Sequence, residues 1–307
     1  MNGSASPKLE ERRRAPVVSL SHLDHLWFQV TGTLCNLTCT HCFISSSPTN
    51  HNFELLSLDA VRRTLDASLA LGVKEYYFTG GEPFLHPDMT EILEATLAVG
   101  PATVLTNGTL FKEHDLDRLA AAEARSPYSL EIRVSIDGYS ADMNDALRGA
   151  GSFQKAVGGM ATLLAHGFLP ILTVAQTWED GRNDEMFHRF VSLLKSLGCA
   201  RPRVKILPTL RLGAEAKRTR GYEPGEHVTE EMMEGYDASQ LVCTHSRTVT
   251  EKGVFVCPIL LDSKEARLGG TLEESLGPYA LQHAACYTCY VGGAICSNFS
   301  SEASGGV

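Results

Sequence analysis

Eight of the nine cysteines in this 307-residue chain fall into two groups. Cys35, Cys39 and Cys42 form a C-x3-C-x2-C triplet; Cys243, Cys257, Cys286, Cys289 and Cys296 lie far downstream. Three thiolates within eight residues can hold three corners of an iron–sulfur cube and leave the fourth iron open to an exogenous ligand. Zinc is the alternative. It prefers four protein ligands in a structural site, and His41 could supply the fourth, although it lies inside the last C-x-x-C. Cys199 stands alone in an apolar context and reads as packing. No apolar stretch long enough for a secretory signal follows Arg12, Arg13 and Arg14, so a reducing, cytoplasmic setting is expected. There, grouped cysteines point to metal or thiolate chemistry rather than disulfides.

Such residues need a scaffold, and the pattern from residue 26 supplies one. Short apolar runs at 26–31, 75–79, 103–106, 130–136, 170–175 and 204–207 read as strands. Amphipathic stretches at 58–71 (capped by Ser57), 87–99, 115–123, 153–166 and 185–197 read as helices. Strand–helix repeats of this kind imply an α/β fold with a parallel sheet, either a curved partial barrel or an open doubly wound sheet. In both, ligands collect at the carboxyl ends of the strands. That rim carries the cysteine triplet, Gly80-Gly81-Glu82-Pro83, Thr106-Asn107-Gly108, Ser135-Ile136-Asp137-Gly138 and Gln176. Composition turns polar and turn-rich beyond residue 212, so three regions are expected: a disordered tail over 1–22, the α/β region over 23–215 and a cysteine-rich region over 216–307. With 43% hydrophobic residues the chain can bury a sizeable core, and a formal charge of −9 argues against nucleic acid as a partner. No 18-residue apolar run is present, which argues against a membrane span.

On these residues the chain resembles the radical S-adenosylmethionine superfamily. The triplet with Phe43 behind it is similar to that family's cluster motif, which implies a [4Fe–4S] cluster whose open iron binds S-adenosylmethionine. Gly80, Gly81, Glu82 and Pro83 resemble its GGE motif, implied to meet the methionyl ammonium. Glycines let the backbone come close, and a carboxylate suits a cation. By the same resemblance Asn107, Ser135 and Asp137 are expected on the cofactor, the last two at ribose and carboxylate contacts. Arg148, in a segment similar to the family's RG-x-GSF, would pair with the methionyl carboxylate; its other reading is a surface charge at a helix entry. Gln176 stands where many relatives carry Asn, and Leu210 to Gly213 resemble a segment that closes over adenine. The likeness covers about residues 24–215 and favours a partial (β/α)6 TIM-like barrel over the doubly wound sheet. It implies reductive cleavage to a 5′-deoxyadenosyl radical that takes hydrogen from a substrate, with a flavodoxin- or ferredoxin-type reductant.

The second cysteine group resembles the SPASM and twitch extensions of radical enzymes, which carry auxiliary [4Fe–4S] clusters. Five cysteines favour the shorter form with one auxiliary cluster, held by Cys243, Cys257, Cys286 and Cys289 with Cys296 as a spare thiol; structural zinc is the alternative. Between them Lys252-Gly253 reads as the turn of a hairpin and 254–256 as its strand. His86 is the one histidine expected near the cavity, in a hydrogen-bonded structural role. Tyr76, Tyr77 and Phe78 read as strand core, and no residue stands out as a general base. The expected activity is oxidation or cross-linking of a peptide or small natural-product precursor. The competing reading is a non-catalytic iron–sulfur or zinc protein for electron transfer or docking, which would not need Glu82, Ser135, Asp137 and Arg148.

Overall fold

Leu26 and Phe28 turn one way, Trp27 and Gln29 the other, and all four are buried. Burial on both faces is what a parallel strand under helices requires. The computed structural model describes residues 15–293. Its strands are β1 (Val17–Val18), β2 (His25–Gln29), β3 (Glu75–Thr79), β4 (Ala102–Thr106), β5 (Leu130–Ser135), β6 (Ile171–Gln176), β7 (Val204–Pro208), β8 (Ser246–Thr250), β9 (Gly253–Phe255), β10 (Arg267–Gly269) and β11 (Tyr279–Ala280). The helices are α1 (Leu58–Ala70), α2 (Met89–Thr96), α3 (Glu113–Arg125), α4 (Ala141–Arg148), α5 (Ser152–Ala165), α6 (Asn183–Ser196), α7 (Gly213–Thr219) and α8 (Ala284–Gly292).

Strands β2 to β7 are parallel and each neighbours its successor in sequence. The winding therefore never reverses, and the doubly wound sheet, which has a switch point, gives way to a partial (β/α)6 barrel. Beyond β2 the sheet continues: β8 pairs with it in parallel, and β9 and β10 follow antiparallel. The cysteine-rich segment thus shares the barrel's sheet. Pro208 ends β7 at the sheet edge, where proline's missing N–H leaves no ladder bond unmade.

Local chemistry sets the element ends. Ser57 caps α1, its hydroxyl accepting the Ala60 N–H at 3.2 Å. α2 begins two residues after the expected Pro87, because His86 Nδ1 accepts the Asp88 N–H at 3.1 Å and holds that turn. α4 was not expected. The Asp145 carboxylate on it accepts the Gly151 and Phe153 N–H groups at 2.7 and 2.8 Å and so caps α5.

One apolar core lies between sheet and helices, with Phe28, Phe78, Ile92, Val104 and Phe190. Cys199 packs in it, as a lone apolar cysteine should. A second core gathers Cys243, Cys257, Cys286 and Cys289 with Val256, Leu260 and Tyr279. Residues 15–22, expected within a disordered tail, are instead tied down. β1 pairs antiparallel with β11, Ser21 donates to the Thr244 carbonyl at 2.8 Å, and Val18 is buried in the second core. A two-residue strand carries no periodic signal, and only its distant partner makes it one. Arg12, Arg13, Arg14 and Cys296 lie outside the described residues. No described helix is long and apolar enough to cross a membrane.

Candidate active site

The cysteine triplet leaves the end of β2 in a loop whose N–H groups already point at sulfur. Leu37 donates to Cys35 Sγ at 3.4 Å and Ser46 to Cys42 Sγ at 3.2 Å. The turn after β3 docks against this loop, with the Glu82 N–H on the Leu34 carbonyl at 3.0 Å. A Cβ on Gly81 would stand 2.1 Å from that carbonyl oxygen and 2.8 Å from Cys35 Cβ, so the approach requires glycine. Burial pushes the Cys35 thiol up to about 12 and that of Cys39 to about 11, so both would be protonated near neutrality without a bound cation.

Glu82 and Asp137 both turn away from solvent. The Glu82 carboxylate accepts the Thr106 hydroxyl at 2.6 Å, the Asn107 N–H at 2.7 Å and the Phe84 N–H at 3.1 Å, tying the end of β3 to that of β4. Burial raises its carboxyl and these three bonds oppose the rise. Asp137 accepts the Ala175 N–H at 2.7 Å, pairs with His41 Nε2 at 2.8 Å and bonds Arg148 Nε. Burial alone would raise the Asp137 carboxyl; Arg148 and then His41 more than reverse this and hold it below the usual carboxylate range. His41, weighed above as a fourth zinc ligand, is thus engaged by Asp137.

These elements enclose a cavity of about 250 Å³. Cys35, Cys39, Cys42, Phe43, Gly80, Gly81, Asn107, Ser135 and Arg148 line it. Glu82, Pro83, Asp137 and Gln176 do not: the first and third support the wall from behind, and Gln176 Nε2 donates to Asp180. His86, placed near the cavity from sequence, lies behind it, with Nε2 on the Leu56 carbonyl at 2.9 Å. His41, Trp27, Arg133 and Thr173 also line the cavity: sequence reasoning weighed the first only as a zinc ligand and passed over the last three. The last three occupy inward positions of β2, β5 and β6, which the period-two alternation could have marked. Within the wall, His41 Nδ1 and Ser46 Oγ are buried with no partner among the described residues. Orphaned polar atoms beside a thiol loop fit a bound polar ligand and cluster.

The second cysteine group also converges. Cys243, Cys257, Cys286 and Cys289 line one small apolar cavity, the last two a single turn apart on α8. Burial pushes the Cys257 thiol up to about 11 and that of Cys286 to about 12. Among the described residues no three His, Cys, Asp or Glu side chains converge tightly enough to hold one metal ion.

Residues 30–194 match the Radical SAM superfamily, more than half of the chain. The chain belongs to the radical SAM superfamily. Membership implies a [4Fe–4S] cluster and S-adenosylmethionine. Over 145 residues this radical SAM chain is 32% identical to the antilisterial bacteriocin subtilosin biosynthesis protein AlbA of Bacillus subtilis, covering 47% of this chain and 31% of that protein. It is 32% identical over 180 residues to the mycofactocin maturase MftC of Mycobacterium tuberculosis, covering 58% and 43%. These matches span less than half the length of either relative. Streptococcus suis SuiB bound to precursor peptide SuiA superposes with a TM-score of 0.62 at 14% identity, covering 88% of this chain and 66% of that one. anSMEcpe with bound AdoMet and Cp18Cys peptide gives 0.59 at 16%, covering 82% and 79%. At these identities both structures speak for the fold alone.

Proposed function

We propose that this chain is a peptide-modifying radical enzyme: it cleaves S-adenosylmethionine reductively at a cluster held by Cys35, Cys39 and Cys42 and abstracts hydrogen from a precursor peptide. The observation that carries this reading is the convergence of three thiols, the Gly80-Gly81 turn and Arg148 on one cavity. An electron carrier needs only the thiols. When bound, a reduced cluster supplies the electron that breaks the sulfonium bond. The chain's own work is placement. Arg148, held by Asp137, offers its positive charge to a carboxylate; Gly80 and Gly81 let backbone approach the ligand; the strands exclude water. The peptide class is supported by relatives named for bacteriocin biosynthesis and mycofactocin maturation.

In this reading Cys243, Cys257, Cys286 and Cys289 would hold one auxiliary cluster, which would supply a one-electron acceptor for substrate oxidation. Residues 23–215 form the radical-generating unit and 216–307 the auxiliary one, and a flavodoxin- or ferredoxin-type protein supplies the first electron. The test is 5′-deoxyadenosine formation by anaerobically reconstituted protein under dithionite. Wild type should form it, and Cys35→Ala, Cys39→Ala and Cys42→Ala should each abolish it while leaving part of the iron bound. A triple variant that still cleaves S-adenosylmethionine would overturn the assignment.

A further inference from the structure

The side chain of Tyr279 on β11 reaches the second thiol cavity. Cys243, Cys257, Cys286 and Cys289 line that cavity with it, and every other lining side chain is aliphatic. Tyr279 is 5% exposed, and its hydroxyl has no hydrogen-bond partner among the described residues. Leaving a buried hydroxyl unpaired is destabilising, so such a group points to a partner that fills the cavity. Water is a poor one: it needs two to four polar contacts, and the rest of this wall is thiol and aliphatic. The tyrosines on and around α8 differ. Tyr222 shares a hydrogen bond with Thr288 Oγ1 at 2.6 Å, Tyr236 donates to the Tyr290 carbonyl at 3.1 Å, and Tyr290 donates to the Met232 carbonyl at 2.8 Å. Tyr279 is also held in place. Val18 pairs opposite it, the Leu281 N–H donates to the Pro16 carbonyl at 2.8 Å, and its ring lies parallel to that of His283 with centroids 6.2 Å apart. Burial, then the Cys286, Cys257 and Cys243 thiols, push its hydroxyl above the ordinary value, so it keeps its proton and remains a donor.

We propose that the Tyr279 hydroxyl donates a hydrogen bond to a thiolate sulfur of this site and raises the site's reduction potential; the inference rests on the auxiliary-cluster reading above and deepens it. Free thiols accept weakly, whereas thiolates on iron carry charge and accept better. Reduction by one electron adds negative charge to the iron and its thiolates together. A donor aimed at that sulfur therefore stabilises the reduced form more than the oxidised one, and the potential rises. That direction suits a site that accepts an electron from substrate. Tyr279 is thus a positioning residue, acting through the thiolates and not on substrate.

The test is a redox titration followed by electron paramagnetic resonance. The parent is the anaerobically reconstituted Cys35→Ala/Cys39→Ala/Cys42→Ala protein, in which the second site holds the iron, and Tyr279→Phe is added to it. Phenylalanine keeps the ring and removes the hydroxyl. Iron and sulfide should stay at the parent's level, about four irons per chain. The midpoint should fall by the equivalent of a roughly 3- to 10-fold change in the one-electron equilibrium, about 30–60 mV at 59 mV per tenfold. Tyr222→Phe, whose hydroxyl already has Thr288, should keep the parent's midpoint. If the triple background fails to fold, the same variants are compared with all cysteines present, where the second signal is the one S-adenosylmethionine leaves unmoved. An unchanged or raised midpoint in Tyr279→Phe overturns the inference, as does an equal fall in Tyr222→Phe. Loss of iron from Tyr279→Phe also overturns it, because the hydroxyl would then hold the site together. A parent with no redox-active iron sinks the auxiliary cluster and the inference with it, whereas four irons with an unmoved midpoint sink the inference alone.

Discussion

Glu82 and Asp137 are the two acidic side chains expected to touch the cofactor, and in the structure both carry bonds from protein donors. Each is fully buried, and a buried carboxylate persists only where donors surround it. For Asp137 those donors are His41, Arg148 and the Ala175 N–H, drawn from three separate segments. Glu82 fixes the turn whose glycines line the cavity. Its variants therefore separate support from contact. Glu82→Ala strands the Thr106 hydroxyl and the Asn107 N–H, each orphan costing about 1–3 kcal/mol, and should weaken S-adenosylmethionine binding roughly 10- to 150-fold. Glu82→Gln keeps the acceptor for Thr106 and Phe84 but sets an amide NH2 against the Asn107 N–H, and should recover only part of that affinity. Equilibrium binding of S-adenosylmethionine to both variants checks this; equal losses would mean a direct contact between the carboxylate and the ligand's ammonium.

At the scale of elements, the β8–β9 hairpin is held by groups that local patterning hides. Arg247 on β8 is fully buried and donates to the carbonyls of Cys243, Ser246, Ser275 and Gly277 at 2.7–3.0 Å, so it links the Cys243 turn to the 275–277 loop. Just before β8, the His245 carbonyl accepts the Asp24 and His25 N–H groups, each at 3.0 Å, and the His245 ring meets that of His25 at 4.9 Å. Burial, then the proximity of His25 and His22, lowers His245 from 6.5 to about 4, with Asp24 opposing. The unfolded chain therefore binds a proton that the folded chain refuses between those values, and stability falls as pH drops through that window. Between pH 7.5 and 5.5 the loss from this residue should be about 1–1.5 kcal/mol. Urea unfolding at the two pH values measures it. His245→Gln should lose less stability on acidification than wild type, and an unchanged difference would assign the effect elsewhere.

Across the whole molecule the two thiol sets hang on one sheet. β2 leads into the cysteine triplet, β8 pairs with β2, and β9 leads into Cys257. Pro258, the next residue, lines the first cavity, so the C-terminal segment completes the wall that the barrel leaves open. This arrangement sets the expected iron content. Reconstituted wild type should hold about eight irons, two cubes of the thiolate-bound kind. Cys289→Ala should lose about half, because Cys289 lines the second cavity with Cys243, Cys257 and Cys286. Cys296→Ala should keep all of them. Iron and sulfide analysis decides: loss on Cys296→Ala but not on Cys289→Ala reverses the ligand choice, and about twelve irons would require a further cluster.

The repeating strands and helices were legible in the chain because burial on both sheet faces writes continuous apolar runs, as in Glu75–Thr79, and because Ser57 marks a helix start by local chemistry. The rim of Cys35, Gly80, Gly81, Asn107, Ser135 and Arg148 was legible too, since strand ends follow from strand positions and the barrel collects them. What only the tertiary structure decided is which polar groups face the cavity and which face one another. Asp137 and Glu82 turn inward because their donors come from residues 24 to 96 positions away as well as from neighbours, and no local pattern encodes that. The same holds for β1 on β11 and β8 on β2: a strand two to five residues long is weak by itself, and its pairing is settled by the partner edge that long-range folding brings to it.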